Sequence, residues 1–449
     1  MEKIKGKKKL LLYGCSGLGV NMLTLMIGTY LCSGLLIGGF DEHLTEWTYI
    51  GKDLVIAAVW SVMVLVAKVL DGIIDIPLAS LADKISNKFG RRKTAILIGF
   101  CAMITAFLLF LIPLNKEATL LNTIWFGVIL CTFYSFYTLT MLTYYATFAE
   151  VCETENDVLF LSNVKSVCDV VYFILGYALI PVFIGMNINI RIVSLIFLPL
   201  SLTMMIPMFM LKEGGAVNTA DGAPAENEDR LTLGAALKCS VKNWSFMYWM
   251  FTISVMTVGL QLFLGGINEL FSSTGLSMTV VMASAFVPVP FTLILYNHIV
   301  KKKGLGFGYR YILSIFTVGM LVMLICCLLH EKVTEGQLTA IAIVGGLFVS
   351  FAIGAFFSIT YTVPSHLAQR EKERTGKSVS PMYFAVQGLF EGVAAGIGTG
   401  LILVQLKDHN AILWLPVIVA VCCVIAFGMS FAFPKEISQM GKNTKESNK

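Results

Sequence analysis

The sequence predicts an all-α polytopic membrane protein, with twelve transmembrane helices in two six-helix bundles. Three observations carry this. Apolar stretches of about 20 residues recur from end to end, each long enough to cross a bilayer as a helix. The 449 residues are 57% hydrophobic and 14% charged, whereas soluble chains carry about 25% charged residues. At the midpoint, residues 212–230 turn Gly-, Ala- and acid-rich with no apolar period, the texture of a flexible linker.

In order, a basic leader (1–9) precedes span 1 (10–37), which carries Asn21. That span is longer than a signal-peptide core and no small-residue cleavage site follows, so it is expected to stay as a membrane helix. A polar loop (41–48) leads to span 2 (55–82), then spans 3 (95–114) and 4 (120–149). An acidic loop (150–157) precedes span 5 (159–185), which holds Lys165 and Asp169 at i, i+4, and span 6 covers 191–211. After the linker, 231–242 reads as an interfacial helix. Spans 7 to 12 follow at 244–271, 278–299, 311–329, 338–363, 382–406 and 412–433, then a polar tail. The predicted domains are 1–211, a cytoplasmic linker 212–243, and 244–449. Span 11 carries Gly388, Gly392, Ala395, Gly396 and Gly400, small residues that permit close helix packing or bending.

Of the 33 Lys and Arg, 26 fall in segments on the side of the N-terminus, five on the other, and Lys68 and Lys165 lie within spans. This bias puts both termini in the cytoplasm of a cell-membrane protein. The net charge of +5, spread over short loops, implies that bias rather than nucleic-acid binding. The eleven cysteines fall mostly in apolar spans without metal-ligand spacing and read as small packing residues, neither ligands nor disulfides.

Span 2 holds the densest ionisable group. Lys68, Asp71 and Asp75 share one helix face. A charge at mid-membrane costs at least about 2.5–3.5 kcal/mol, so three imply a wet, protected or mutually paired site. Asp83 and a basic turn from Lys84 to Lys93 close the segment.

From Asp71 to Lys93 the sequence resembles the glycoside–pentoside–hexuronide:cation symporters, the melibiose-permease-like branch of the major facilitator superfamily. The residues are Asp71, Asp75, Asp83 and Asn87-Lys88-Phe89-Gly90-Arg91-Arg92, with a second likeness at Glu373-Arg374-Thr375-Gly376-Lys377. The resemblance implies a cation site at Asp71 and Asp75, and basic residues near the sugar at Lys68 and Lys165. It implies a sugar-stacking aromatic near Tyr145. Departures fall at Asn21 and Met141, where the family has acids, and at Gly392, beside Glu391, where it has a lysine. The family's Asp-Pro step becomes Asp75-Ile76-Pro77. The fold therefore transfers, whereas a galactoside substrate and a sodium site do not.

Two carboxylates one turn apart either offer oxygens to a hard cation or share a proton, with Lys68 neutralising one of them. The coupling ion is thus H⁺ or Na⁺. Thr138, Thr140 and Thr143 are candidate neutral oxygens, in place of the missing span 4 acid. Lys68 and Asp71 also fit a purely structural buried ion pair. Candidate substrate contacts are Asn21, Lys68, Tyr137, Tyr145, Lys165, Asp169, Gln387 and Glu391. Glu269 lies near the outer end of span 7 and fits a snorkelling acid. Asp83, Arg91 and Arg92 suit a gate at a helix end.

These features predict cation-coupled symport of a sugar or glycoside by a monomer, with substrate held between the halves near mid-membrane. No cofactor is expected, and no metal beyond Na⁺ at Asp71 and Asp75. No Gly-x-x-x-x-Gly-Lys-Ser/Thr run occurs, which argues against an ATP-driven pump, and no catalytic constellation suggests an enzyme. The glycines from Gly304 to Gly308 read as a short loop. The alternatives are an exporter or lipid-type carrier of the same fold, or a non-transporting membrane sensor.

Overall fold

The computed structural model describes residues 3–40, 45–84, 91–153, 155–213, 238, 240–276, 278–375 and 380–442. Among them twelve helices are long and apolar enough to cross a membrane, from Lys7–Leu35 to Ile412–Ser430. The chain divides into two compact units, Met1–Gly222 and Ala223–Lys449. Linker residues 214–237, the turn at 85–90, residues 41–44, Gly376 and Lys377 lie outside the described residues. So do the side chains of Asp75, Asp83 and Arg91.

Each unit repeats one packing scheme. In the first, span 1 packs on spans 5 and 6, and span 4 on spans 2 and 3. In the second, span 7 packs on spans 11 and 12, and span 10 on spans 8 and 9, with span 9 also on span 12. Small residues set the closest crossings, as lipid-embedded helices require. A Cβ at Gly19 of span 1 would run into the Leu200 carbonyl of span 6, and one at Gly398 of span 11 would lie 2.7 Å from the Val258 oxygen of span 7.

Several boundaries differ from the sequence reading for local reasons. The acidic loop shortens because the span 5 helix begins at Glu155, where acids favour a helix N-terminus. Span 8 breaks into Met278–Phe286 and Val289–Lys303 around Pro288 and Pro290. The glycine-rich stretch is helical from Leu305 onward and only Gly304, at φ 87°, makes the turn. Gly306 is there because the tail crosses it: a Cβ would meet the Ser438 hydroxyl at 2.6 Å. The span 10 helix continues through Pro364 to Thr375 over 41 residues. Spans 1, 5 and 11 each carry a π-helical run, at Met26–Leu31, Leu175–Leu179 and Gly396–Ile402; such wide turns recur at functional sites.

Candidate functional site

The first unit brings spans 1, 4 and 5 together around one continuous polar chain. The Tyr137 hydroxyl donates to Asn21 Oδ1 at 3.1 Å. The Asn21 amide donates to Asp169 Oδ1 at 3.2 Å. Lys165 Nζ pairs with Asp169 Oδ2 at 2.6 Å and lies 5.3 Å from the centroid of the Tyr145 ring. Lys165 and Asp169 stack one turn apart because i, i+4 residues share a helix face. Their side chains are 23% and 14% exposed, so the pair is shielded yet reachable. The aromatic walls are held in turn: Tyr137 stacks on Phe133, and Tyr145 packs against Tyr144 and Phe148. Asn21 fits this setting in a way an acid does not. Its amide accepts with one end and donates to a carboxylate with the other, where a second carboxylate would repel Asp169.

Beside this chain, span 2 faces span 4. Thr138 Oγ1 donates to Asp71 Oδ1 at 2.9 Å. The Lys68 ammonium sits 4.1 Å from the centroid of the Tyr134 ring, a cation–π contact, and remains within electrostatic reach of Asp71. Among the described residues it closes no ion pair with Asp71. The expected Lys68–Asp71 pair is therefore replaced by an aromatic seat for the cation and a hydroxyl for the acid.

The second unit holds two polar centres. Gln387 Nε2 donates both to Glu391 Oε1 and to the Thr360 carbonyl, each at 2.7 Å. Glu269 Oε1 pairs with Lys407 Nζ at 2.9 Å, with both side chains buried. Next to this pair, the Asn268 amide, Glu269 Oε2 and Ser272 Oγ are buried without a hydrogen-bond partner among the described residues.

A profile of the family described as MFS/sugar transport protein matches residues 12–408, which is nearly the whole chain. The chain belongs to that family. The family likeness read from span 2 and the twelve-span architecture is thereby upheld, and the protein is a multi-pass membrane transporter of the major facilitator fold. Two solved structures share the fold. The nucleoside transporter NupG aligns at 14% identity and a TM-score of 0.61, covering 96% of this chain and 100% of its own. A bacterial homologue of the human lysosomal transporter Spinster, inward-facing and unoccupied, aligns at 10% identity and a TM-score of 0.59, covering 95% and 97%. No curated protein sequence matches the transporter.

Five of the substrate candidates in the transporter (Asn21, Tyr137, Tyr145, Lys165 and Asp169) form one chain, while Gln387 and Glu391 pair separately in the second unit. Asp71 and Thr138 meet, but Thr140 does not join them. Its hydroxyl bonds the Phe136 carbonyl at 2.8 Å and lies where a Cβ at Gly99 of span 3 would fall. Thr138 and Thr140 are 200° apart around the helix, so only one faces span 2. Thr143 is buried, its hydroxyl without a hydrogen-bond partner among the described residues. Met141 packs on span 1, its Cε 3.0 Å from a Cβ position at Gly17.

Glu269 is not a snorkelling acid. It is sealed by Lys407, which the sequence reading had counted as a loop residue beyond span 11. At the expected gate, the backbone N–H groups of Arg92 and Lys93 donate to Glu213 Oε2 and Oε1 at 3.1 and 3.2 Å. Glu213 thus caps the N-terminus of span 3 from the end of span 6, satisfying orphan donors at the positive end of the helix dipole. Neither Glu213 nor Lys407 had a local signal. One follows a span end in linker-like sequence, and the other is one lysine near a span terminus.

Proposed function

We propose that this transporter is a cation-coupled symporter of a sugar or glycoside, working by alternating access in the cell membrane as a monomer, with both termini cytoplasmic. The observation that carries the reading is the chain Tyr137–Asn21–Asp169–Lys165–Tyr145. It offers hydroxyl, amide, carboxylate and ammonium groups between aromatic faces. A sugar needs that mixture: hydrogen-bond partners around its rim and an aromatic face for its C–H surface. Because Lys165 and Asp169 neutralise each other, the chain binds a neutral polar solute without adding net charge to the membrane interior.

Asp71 with Thr138 supports a cation role. A carboxylate already holding one hydroxyl proton takes up H⁺ or offers oxygens to Na⁺, with Asp75 one turn further along the same helix. Lys68, seated against Tyr134, remains within electrostatic reach of Asp71 but does not occupy its oxygens, which stay available to the coupling ion. No cofactor enters this scheme.

The deciding experiment is uptake into proteoliposomes across a panel of glycosides, pentosides and uronides, with a nucleoside included because the solved nucleoside transporter shares the fold. Each solute is tested with a Na⁺ gradient, a pH gradient or neither. Accumulation of a sugar under one gradient is the expected result, and Asp71→Asn and Asp75→Asn each abolish it. Folded protein that accumulates no sugar under either gradient overturns the reading in favour of an exporter, a carrier of another solute, or a sensor.

A further inference from the structure

Two cysteines outside the polar chain face each other across spans 1 and 5. Cys15 and Cys168 bring their sulfurs to 3.5 Å, and both thiols are free. The helices hold them there. A Cβ at Gly14, beside Cys15, would lie 2.6 Å from Val164 Cγ1 and 3.1 Å from Leu161 Cδ1. Further along the same pair of spans, a Cβ at Gly176 would lie 2.7 Å from Leu25 Cδ2, and the Tyr30 hydroxyl bonds the Gly176 carbonyl. The contact is therefore held by side chains packed closely over glycines on either side. Cys15 is partly exposed and Cys168 buried, so an oxidant reaches one sulfur first and the second lies behind it.

We propose that Cys15 and Cys168 are a redox modification site, where oxidation forms a disulfide that staples span 1 to span 5 and suppresses solute binding. An S–S bond is about 2.0 Å long, so the sulfurs close by about 1.5 Å. Cys168 directly precedes Asp169, and Lys165 lies one turn before it. The Asn21–Asp169 bond, already 3.2 Å long, joins the same two helices. A shift of that size at Cys168 therefore falls on the bond that links the two ends of the polar chain. With a diazenedicarboxamide oxidant such as diamide, the Cys15 thiolate adds to the N=N bond. The Cys168 thiolate then attacks Cys15 Sγ, the S–S bond forms and the S–N bond breaks. The hydrazine leaves with both electrons and both protons. A dithiol such as dithiothreitol reverses the step by exchange. A reducing compartment keeps the pair open.

The effect on binding rests on the transport reading above, while formation of the bond does not, and the test separates them. The full-length protein in lipid nanodiscs is treated with diamide, blocked with N-ethylmaleimide and digested without reduction for mass spectrometry. The expected product is a linked Cys15–Cys168 peptide pair, two hydrogens lighter than its parts and lost with dithiothreitol. Its absence, or linkage of either cysteine to a different one, overturns the site. In proteoliposomes, oxidation lowers uptake at least tenfold in the wild type, dithiothreitol restores it, and Cys15→Ser and Cys168→Ala are insensitive. A linked pair with unchanged uptake overturns the regulatory role. A wild type that takes up nothing before oxidation sinks the transport reading instead, and the peptide result still decides whether the site exists.

Discussion

At the residue scale, the charges inside the spans are each answered differently. Asp71 is held by one neutral hydroxyl. A hydrogen bond to a charged group contributes about 1.5–3 kcal/mol, so Thr138→Val is expected to shift the half-saturating concentration of the coupling cation by about tenfold or more, downward for H⁺ because the ionised carboxylate loses a donor and upward for Na⁺ because an oxygen ligand is lost, with Thr138→Ser near wild type. Equal cation dependence in all three proteins would remove Thr138 from the coupling site. Glu269 and Lys407 are the opposite case, a sealed ion pair. Glu269→Gln leaves Lys407 without this carboxylate in an apolar interior and is expected to destabilise the protein by about 3–5 kcal/mol. The double variant Glu269→Gln/Lys407→Met is expected to recover most of that loss in melting temperature. A double variant as unstable as the sum of its parts would show that the two side chains act independently.

At the element scale, helix contact is decided where side chains vanish. Gly19 lies against the Leu200 backbone, which has no rotamer with which to yield, whereas a Cβ at Gly185 meets nothing. Overpacking commonly costs about 1–3 kcal/mol, and more when the obstacle is backbone. Gly19→Ala is therefore expected to lower the detergent melting temperature sharply while Gly185→Ala leaves it unchanged. Similar melting temperatures for the two would mean that spans 1 and 6 part without penalty. The same scale explains how far the sequence could be read. Span positions were legible because twenty apolar residues announce themselves. Tyr137 and Thr138 were legible as candidates, but span 4 also carries Thr132, Ser135, Thr140 and Thr143, and composition does not choose among them. The ends were less so: Glu155, Leu305 and Thr375 as helix boundaries depend on dipoles, tail packing and a tolerated Pro364, which hydropathy does not register. Thr140 was misassigned because residue type alone does not say which face of span 4 meets span 2.

At the scale of the whole molecule, two units repeat one packing scheme and each buries its own core. Residues 1–222 and 223–449 expressed as two separate chains in one cell are expected to restore gradient-driven uptake, while neither chain alone transports. Co-expressed halves that are stable in the membrane yet inactive would show that the covalent link between Gly222 and Ala223 is needed for transport.

The sequence by itself determined that this chain crosses the membrane twelve times, because membrane insertion is local: each stretch enters lipid on its own length and hydropathy; its transporter family was legible only through the resemblance carried by the motif from Asp71 to Lys93. It also marked most of the ionisable residues within the spans, because a charge in an apolar stretch stands out wherever it occurs. Only the tertiary structure decided their partners. Lys68 turned to Tyr134 rather than Asp71, Lys407 reached Glu269, Glu213 capped span 3, and Cys15 met Cys168. Those pairings join positions up to 153 residues apart. They depend on which helix faces which and at what rotation, and that is fixed by packing among helices, on which the hydropathy of a single segment carries no information.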